Sequence, residues 1–131
     1  MTDNLEAQAH LVQPQVSNLI AKSNYETLTS YCTQSGRKVP TRLTVVDLQG
    51  EVLCDSDRDS ATMKNHANRP EIMKAYQGDI GVSQRYSSTT KQYMLYVAVP
   101  VSNHDEIIGV LRTSIPLTAI CLLYTSDAAD D

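Results

Sequence analysis

Residues 92–100 constrain the fold of this chain more than any other segment. Their alternate positions are apolar on both parities: Tyr93, Leu95, Val97 and Val99 on one side, Met94, Tyr96 and Ala98 on the other. A strand that is apolar on both faces must lie inside a sheet covered on both sides. Residues 81–87 and 106–115 flank it as further strands. They connect to it through Ser88-Thr89-Thr90-Lys91 and Ser102-Asn103-His104-Asp105, which are rich in turn formers. The three strands read as an antiparallel meander.

Two more strands precede them. Residues 42–47 are short and β-branched, Gln49-Gly50 supplies a turn, and residues 51–55 return as the second arm of a hairpin. Residues 56–68 are polar and loop-like. Pro70 suits the first turn of a short helix carrying Ile72, Met73, Ala75 and Tyr76, which Gly78 stops. At the N-terminus, Leu5, Ala9, Val12, Val16 and Leu19 recur at alternating steps of four and three, the spacing of a helical seam, and Pro14 predicts a kink within it. Ser23-Asn24-Tyr25-Glu26 has the form of a capping box, opening a helical stretch with Leu28, Tyr31 and Cys32 that Gly36 ends. The expected fold class is α+β: a long N-terminal helix on one face of a central five-stranded antiparallel sheet, a short helix and loops on the other.

Length and composition agree with one domain. The chain has 131 residues, 41% of them hydrophobic and 20% charged, enough apolar content to exclude a disordered chain. It has no Phe or Trp and seven Tyr, so aliphatic side chains and tyrosine must fill the interior. Residues 1–116 read as the domain, with 1–39 the helical region and 40–116 the sheet and short helix. Residues 117–131 lose the pattern and read as a non-native or disordered tail. The net charge of −4 owes three negative charges to Asp127, Asp130 and Asp131, so the body is nearly neutral. It offers no basic stripe for nucleic acid. No apolar run reaches membrane-spanning length and no signal-peptide pattern is present. Cys32, Cys54 and Cys121 show no metal-ligand spacing. Buried free thiols are the preferred reading, with a Cys32–Cys54 pair as the alternative.

Candidate chemistry is sparse. Asp55, Asp57 and Asp59 stand at alternate positions of a calcium loop, but Ser60 replaces its glycine and His66 its final glutamate, so no metal site is expected. His66 with Asp55 would suit a small hydrolase, the remote enzyme alternative. His10 and His104 show no metal or nucleophile spacing. The cationic and aromatic residues Arg69, Arg85, Tyr86, Tyr96 and Arg112 are more informative, because charge on a covered sheet must find a partner. Arg112 is expected either to pair with an acid such as Asp47 or Asp55, or to meet an anionic ligand.

The run 42–56, the block Asn65-His66-Ala67-Asn68-Arg69-Pro70-Glu71-Ile72, Arg85-Tyr86-Ser87-Ser88-Thr89, 94–100 and Ile107-Ile108-Gly109-Val110-Leu111-Arg112 together resemble the extracytoplasmic sensor domain of PhoR-like membrane histidine kinases. The resemblance implies a PAS-like fold of the PDC or single Cache kind, outside the membrane between two membrane spans. It also implies that the phosphorylated histidine and the ATP site lie elsewhere in the parent kinase.

On that basis the chain is expected to be a non-catalytic signal-sensing module of a two-component system, with no cofactor. The alternatives are the sensor of a chemoreceptor or cyclase, or a pocketless protein-interaction module. Expected ligand contacts are Arg69, Tyr86, Tyr96 and Arg112, with His66 at the rim, and the expected ligand is a small anion or an envelope component. The expected homodimer interface is the seam Leu5, Ala9, Val12, Val16 and Leu19.

Overall fold

The computed structural model describes residues 2–38, 41–88 and 90–117, with backbone alone at 36–38. Helices α1 (Thr2–Ala21) and α2 (Tyr25–Lys38) lead into strands β1 (Arg42–Val46) and β2 (Val52–Asp55). A single 3-10 turn, Ser60–Thr62, precedes helix α3 (Pro70–Tyr76) and strands β3 (Gly81–Ser87), β4 (Gln92–Asn103) and β5 (Glu106–Pro116). The five strands form one sheet in the order β2-β1-β5-β4-β3, antiparallel throughout. The expected α+β architecture is therefore the observed one. Beyond Leu117, the segment read as a tail lies outside the described residues, as does Cys121.

The sheet places the doubly apolar strand as its sequence requires. β4 lies between β3 and β5, and Met94 through Val99 are all buried. Its odd-numbered side meets the N-terminal helices. Leu5 packs with Leu95, Val97 and Ile115, while Ala9, Val16, Leu19, Ile20 and Leu28 join Leu43, Val45, Val99, Val101 and Leu111. On the other face Ile72 and Ala75 of α3 pack against Val46, Ala98 and Val110.

This packing corrects the expected use of the α1 stripe. Leu5, Ala9, Val16 and Leu19 are at most 4% exposed within a single chain, and Val12 packs against the same core. Leu5, Ala9, Val16 and Leu19 of the seam are taken up by the chain's own sheet, while Val12 keeps partial exposure. A three-four spacing specifies an apolar stripe and leaves open whether helix or sheet covers it.

Local differences have local causes. Asn24, not Ser23, caps α2: its Oδ1 accepts from the Thr27 amide at 3.3 Å, while Ser23 adopts φ 54° in the link from α1. α2 runs through Gly36 to Lys38. β4 and β5 are longer than expected because their turn needs only His104 and Asp105, both at positive φ, the geometry that matches the twist of paired strands. Cys32 and Cys54 form a disulfide that ties α2 to β2, which corrects the preference for free thiols.

Candidate functional site

The α3 side of the sheet carries a row of buried polar groups. Alternation along the strands aims Arg42 and Thr44 of β1, Arg112 and Ser114 of β5, Tyr96 of β4 and Arg85 of β3 toward this face. Arg42, Thr44, Arg112 and Ser114 are at most 6% exposed. Such groups persist in an interior only when paired.

Glu71, in the first turn of α3 and fully buried, supplies the central pairing. Arg85 donates from Nη1 to Glu71 Oε1 at 2.5 Å and from Nη2 to Oε2 at 2.9 Å, a bidentate fork. Arg112 Nη1 donates to the same Oε2 at 3.0 Å. The network continues through Thr44, whose hydroxyl accepts from Arg112 Nη2 at 3.4 Å and donates to Asp55 Oδ2 at 2.7 Å. Arg42 Nε reaches both oxygens of Asp55 at 3.0 Å. Arg112 therefore does pair with an acid, but with Glu71 rather than Asp47 or Asp55. Burial by itself would raise the Glu71 carboxyl, but the Arg85 hydrogen bonds and the charges of Arg112 and Arg85 outweigh it and hold the group below its usual range.

The Tyr96 ring lies among the guanidinium groups, with the Arg85 and Arg112 carbons 4.1 Å and 4.5 Å from its centroid. These are cation–π distances. Two glycines bring the surrounding pieces close. At Gly81 a Cβ would fall 2.1 Å from the Glu71 carbonyl oxygen, so only glycine lets β3 start against α3. Gly50, at φ +87°, accepts the His66 amide on its carbonyl at 2.8 Å, and a Cβ there would strike Asn65 and Ala67. The β1–β2 turn thus anchors the loop that carries His66.

That loop walls a cleft of about 600 Å³, lined by Arg42, Arg58, Lys64, His66, Arg69, Arg85, Tyr96 and Arg112, together with Thr62, Met63 and residues 86–88. Six of these side chains are cationic. The two carboxylates in the network at its base, Asp55 and Glu71, are already bound to arginine.

His66 sits in this field as a neutral base. Its Nδ1 lies 2.7 Å from the Lys64 carbonyl oxygen; a carbonyl only accepts, so Nδ1 carries the proton and Nε2 a lone pair. Burial, then the charge of Arg112, lowers its pKa from 6.5 to about 4, with Arg69 and Arg42 adding to the effect against the Lys64 hydrogen bond.

All five residues expected to meet a ligand border the cleft. Tyr86 does so differently from the rest. It pairs in register with Tyr93 and alternates with Arg85, and its ring stacks edge-on against Tyr93 at 5.4 Å between centroids. Its ring thus belongs to the side of the sheet that carries α1. Three cationic cleft residues escaped the sequence, Arg42, Arg58 and Lys64, as did Glu71 beneath them. Arg42 sits at the entry of a strand and Glu71 beside a helix-starting proline, where charge is ordinary. The hydrolase alternative finds no support in the geometry. Asp55 is engaged by Arg42, Thr44 and the amides of Asp57 and Arg58, whereas His66 Nδ1 faces Lys64. Among the described residues no cluster of His, Cys, Asp and Glu is arranged to hold a metal ion. No described helix is long and apolar enough to cross a membrane.

No family model and no curated protein matches this sequence. Solved structures do match the fold. The E. coli DcuS sensor domain superposes with a TM-score of 0.79 at 16% identity, covering 95% of this chain and 94% of that domain. The V. cholerae histidine kinase DctB sensor domain gives 0.73 at 24% identity, covering 86% of this chain and 47% of that one. The ligand-binding domain of the Campylobacter jejuni chemoreceptor Tlp3, solved with 4-methylisoleucine, gives 0.71 at 19% identity, covering 87% and 50%. The fold is that of the PDC-like sensor domains. The chain spans about half the length of the DctB and Tlp3 domains and nearly all of the DcuS domain.

Proposed function

We propose that this chain is the extracytoplasmic sensor module of a membrane receptor, and that a small organic or inorganic anion occupying the cationic cleft is its signal. The observation that carries this reading is the charge of the cleft: six cationic side chains line it, on a fold shared with sensor domains of histidine kinases and chemoreceptors. Guanidinium forks favour carboxylate and phosphate geometry, and a lowered His66 adds a neutral acceptor for a ligand hydroxyl.

The sequence blocks that resemble PhoR-like kinases favour a two-component histidine kinase as the parent protein, with α1 leading from one membrane span and β5 toward another. The likeness to Tlp3 supports a second reading, a chemoreceptor, in which the same cleft serves a different output. In either receptor a homodimer contact along α1 falls on its outward face, where Leu11 is 78% exposed. A ligand shifts the receptor only through unequal affinity for its two signalling states.

Thermal denaturation against a panel of organic acids, phosphate, sulfate and amino acids tests the reading. An anion that raises the midpoint in a concentration-dependent way, with the effect abolished in Arg69→Ala, is expected. Absence of stabilisation by every anion returns the chain to the pocketless, protein-sensing class.

A further inference from the structure

The floor of the cleft contains donors that the protein does not satisfy. Arg112 spends Nη1 on Glu71 and Nη2 on Thr44, and its Nε–H is buried without an acceptor among the described residues. Ser114, two residues along β5 on the same face and 1% exposed, has a buried Oγ that is likewise unpartnered. In register, Ser114 lies between Arg42 of β1 and Tyr96 of β4, both of which line the cleft. Arg42 completes the set: its Nε is committed to Asp55, and no acceptor meets its terminal nitrogens among the described residues.

We propose that Arg112 Nε, Ser114 Oγ and the terminal nitrogens of Arg42 form a receptor for one oxyanion group at the base of the cleft, separate from the Glu71-bound fork of Arg85. This inference rests on the reading that the cleft takes a small anion, and it specifies where that anion is held and by which atoms.

Two arguments favour an anionic oxygen over a bound water. The first is the count of donors. Arg112 Nε and the Arg42 terminal groups can only donate, and the serine hydroxyl can donate too, whereas a water oxygen offers two lone pairs and brings two further hydrogens needing acceptors. A carboxylate or phosphate presents more lone pairs and no surplus donors. The second is charge. Three guanidinium groups, Arg42, Arg85 and Arg112, share two carboxylates, Asp55 and Glu71, so the network retains one uncompensated positive charge. His66 is neutral near pH 7 and contributes none. A single oxyanion balances the network.

The test is isothermal titration of the intact domain with acetate, succinate, inorganic phosphate and sulfate, applied to the native protein and to Ser114→Ala, Ser114→Val and Arg112→Lys. The carboxylate and phosphate arms identify which oxyanion the floor accepts. For the anion that binds the native protein, Ser114→Val, which replaces the hydroxyl with bulkier apolar atoms, is expected to weaken binding at least about tenfold. Arg112→Lys keeps a cation for Glu71 but removes Nε, with a similar expected loss. Ser114→Ala is expected to cost a few-fold, the loss of one hydrogen bond to a charged group. Its small size makes it the variant that guards against misfolding, checked by an unchanged circular dichroism spectrum. Native affinity retained in both Ser114 variants overturns the floor receptor while leaving anion sensing intact. Failure of every probe to bind the native protein overturns both.

Discussion

The two faces of the sheet are built on opposite principles. The face under α1 and α2 is closed: Leu5, Ala9, Val16, Leu19 and Leu28 interlock with alternate residues of β1, β4 and β5, and a disulfide fastens α2 to β2. The face under α3 has an apolar patch where Ile72 and Ala75 sit on Val46, Ala98 and Val110. Beyond that patch it is a chain of arginines, carboxylates and hydroxyls running from Arg85 through Glu71, Arg112, Thr44 and Asp55 to Arg42. Apolar packing stabilises without direction, whereas buried ion pairs contribute little net stability once desolvation is counted but fix geometry closely. The first face holds the domain together, and the second holds charge in place.

The largest effect should come from breaking the polar face at its centre. Glu71→Ala leaves the buried Arg112 and the half-buried Arg85 facing each other without a carboxylate. An uncompensated buried charge of this kind costs about 3–5 kcal/mol. Urea denaturation at neutral pH is expected to show that loss, with the slope unchanged. A loss below about 1 kcal/mol would mean that solvent reaches the guanidinium groups and that the two faces differ less than their composition suggests. Glu71→Gln separates charge from shape: it retains the volume and one acceptor, and should recover part of the loss.

The closed face is tested through its covalent tie. Cys32 and Cys54 are 22 residues apart, and closing a loop of that length removes unfolded-state entropy worth about 3 kcal/mol in the chain-entropy account. Both sulfurs are buried, so the paired substitution Cys32→Ala with Cys54→Ala keeps an apolar filling. Its thermal midpoint under oxidising conditions should fall to that of the reduced native protein. Equal midpoints for oxidised and reduced native protein would show that the tertiary packing alone holds α2 on β2.

What could be read from the sequence follows the same division. Apolar and β-branched runs bounded by turn formers located every strand, and the double-sided pattern of 92–100 located the covered sheet, because those signals are local and come from burial itself. The bounds of α3 and β3 were legible for the same reason: Pro70 starts one, and Gly81 permits the close approach that starts the other. Partner identity was not legible. The α1 stripe signals an apolar neighbour without saying whether it belongs to the same chain. Arg112 signals a need for an anion, but that anion comes from a helix 41 residues away whose docking depends on the whole fold. Tyr86 and Tyr96 looked equivalent until strand register put their rings on opposite sides. Cysteine spacing carries no pairing information in a chain with three of them, so the disulfide stayed open.

The smallest expected effect is a pH dependence confined to the polar face. His66 has its pKa lowered from 6.5 to about 4, mainly by burial and by Arg112, so the folded protein resists a proton that the unfolded chain accepts. Between those two values the unfolded state binds more protons, and stability must fall as pH falls. The contribution is fully present above about pH 6.5 and is lost progressively toward pH 4. Each tenfold difference in proton affinity is worth about 1.4 kcal/mol, and solvent at the cleft mouth screens part of it, so the loss amounts to roughly 2–3 kcal/mol. Replacing His66 with Gln, which cannot titrate, should flatten the stability curve across that window, measured by chemical denaturation at half-unit steps of pH. An anion in the cleft opposes the charge of Arg112 and relieves part of the depression, so a bound oxyanion should end the descent at a higher pH and make the total loss smaller. Binding would then tighten as pH drops from 6.5, each ligand bringing a fraction of a proton with it. Calorimetry in buffers of different ionisation enthalpy reads that fraction directly. A value of zero across the window would detach His66 from the ligand and leave the arginines alone as the sensing surface.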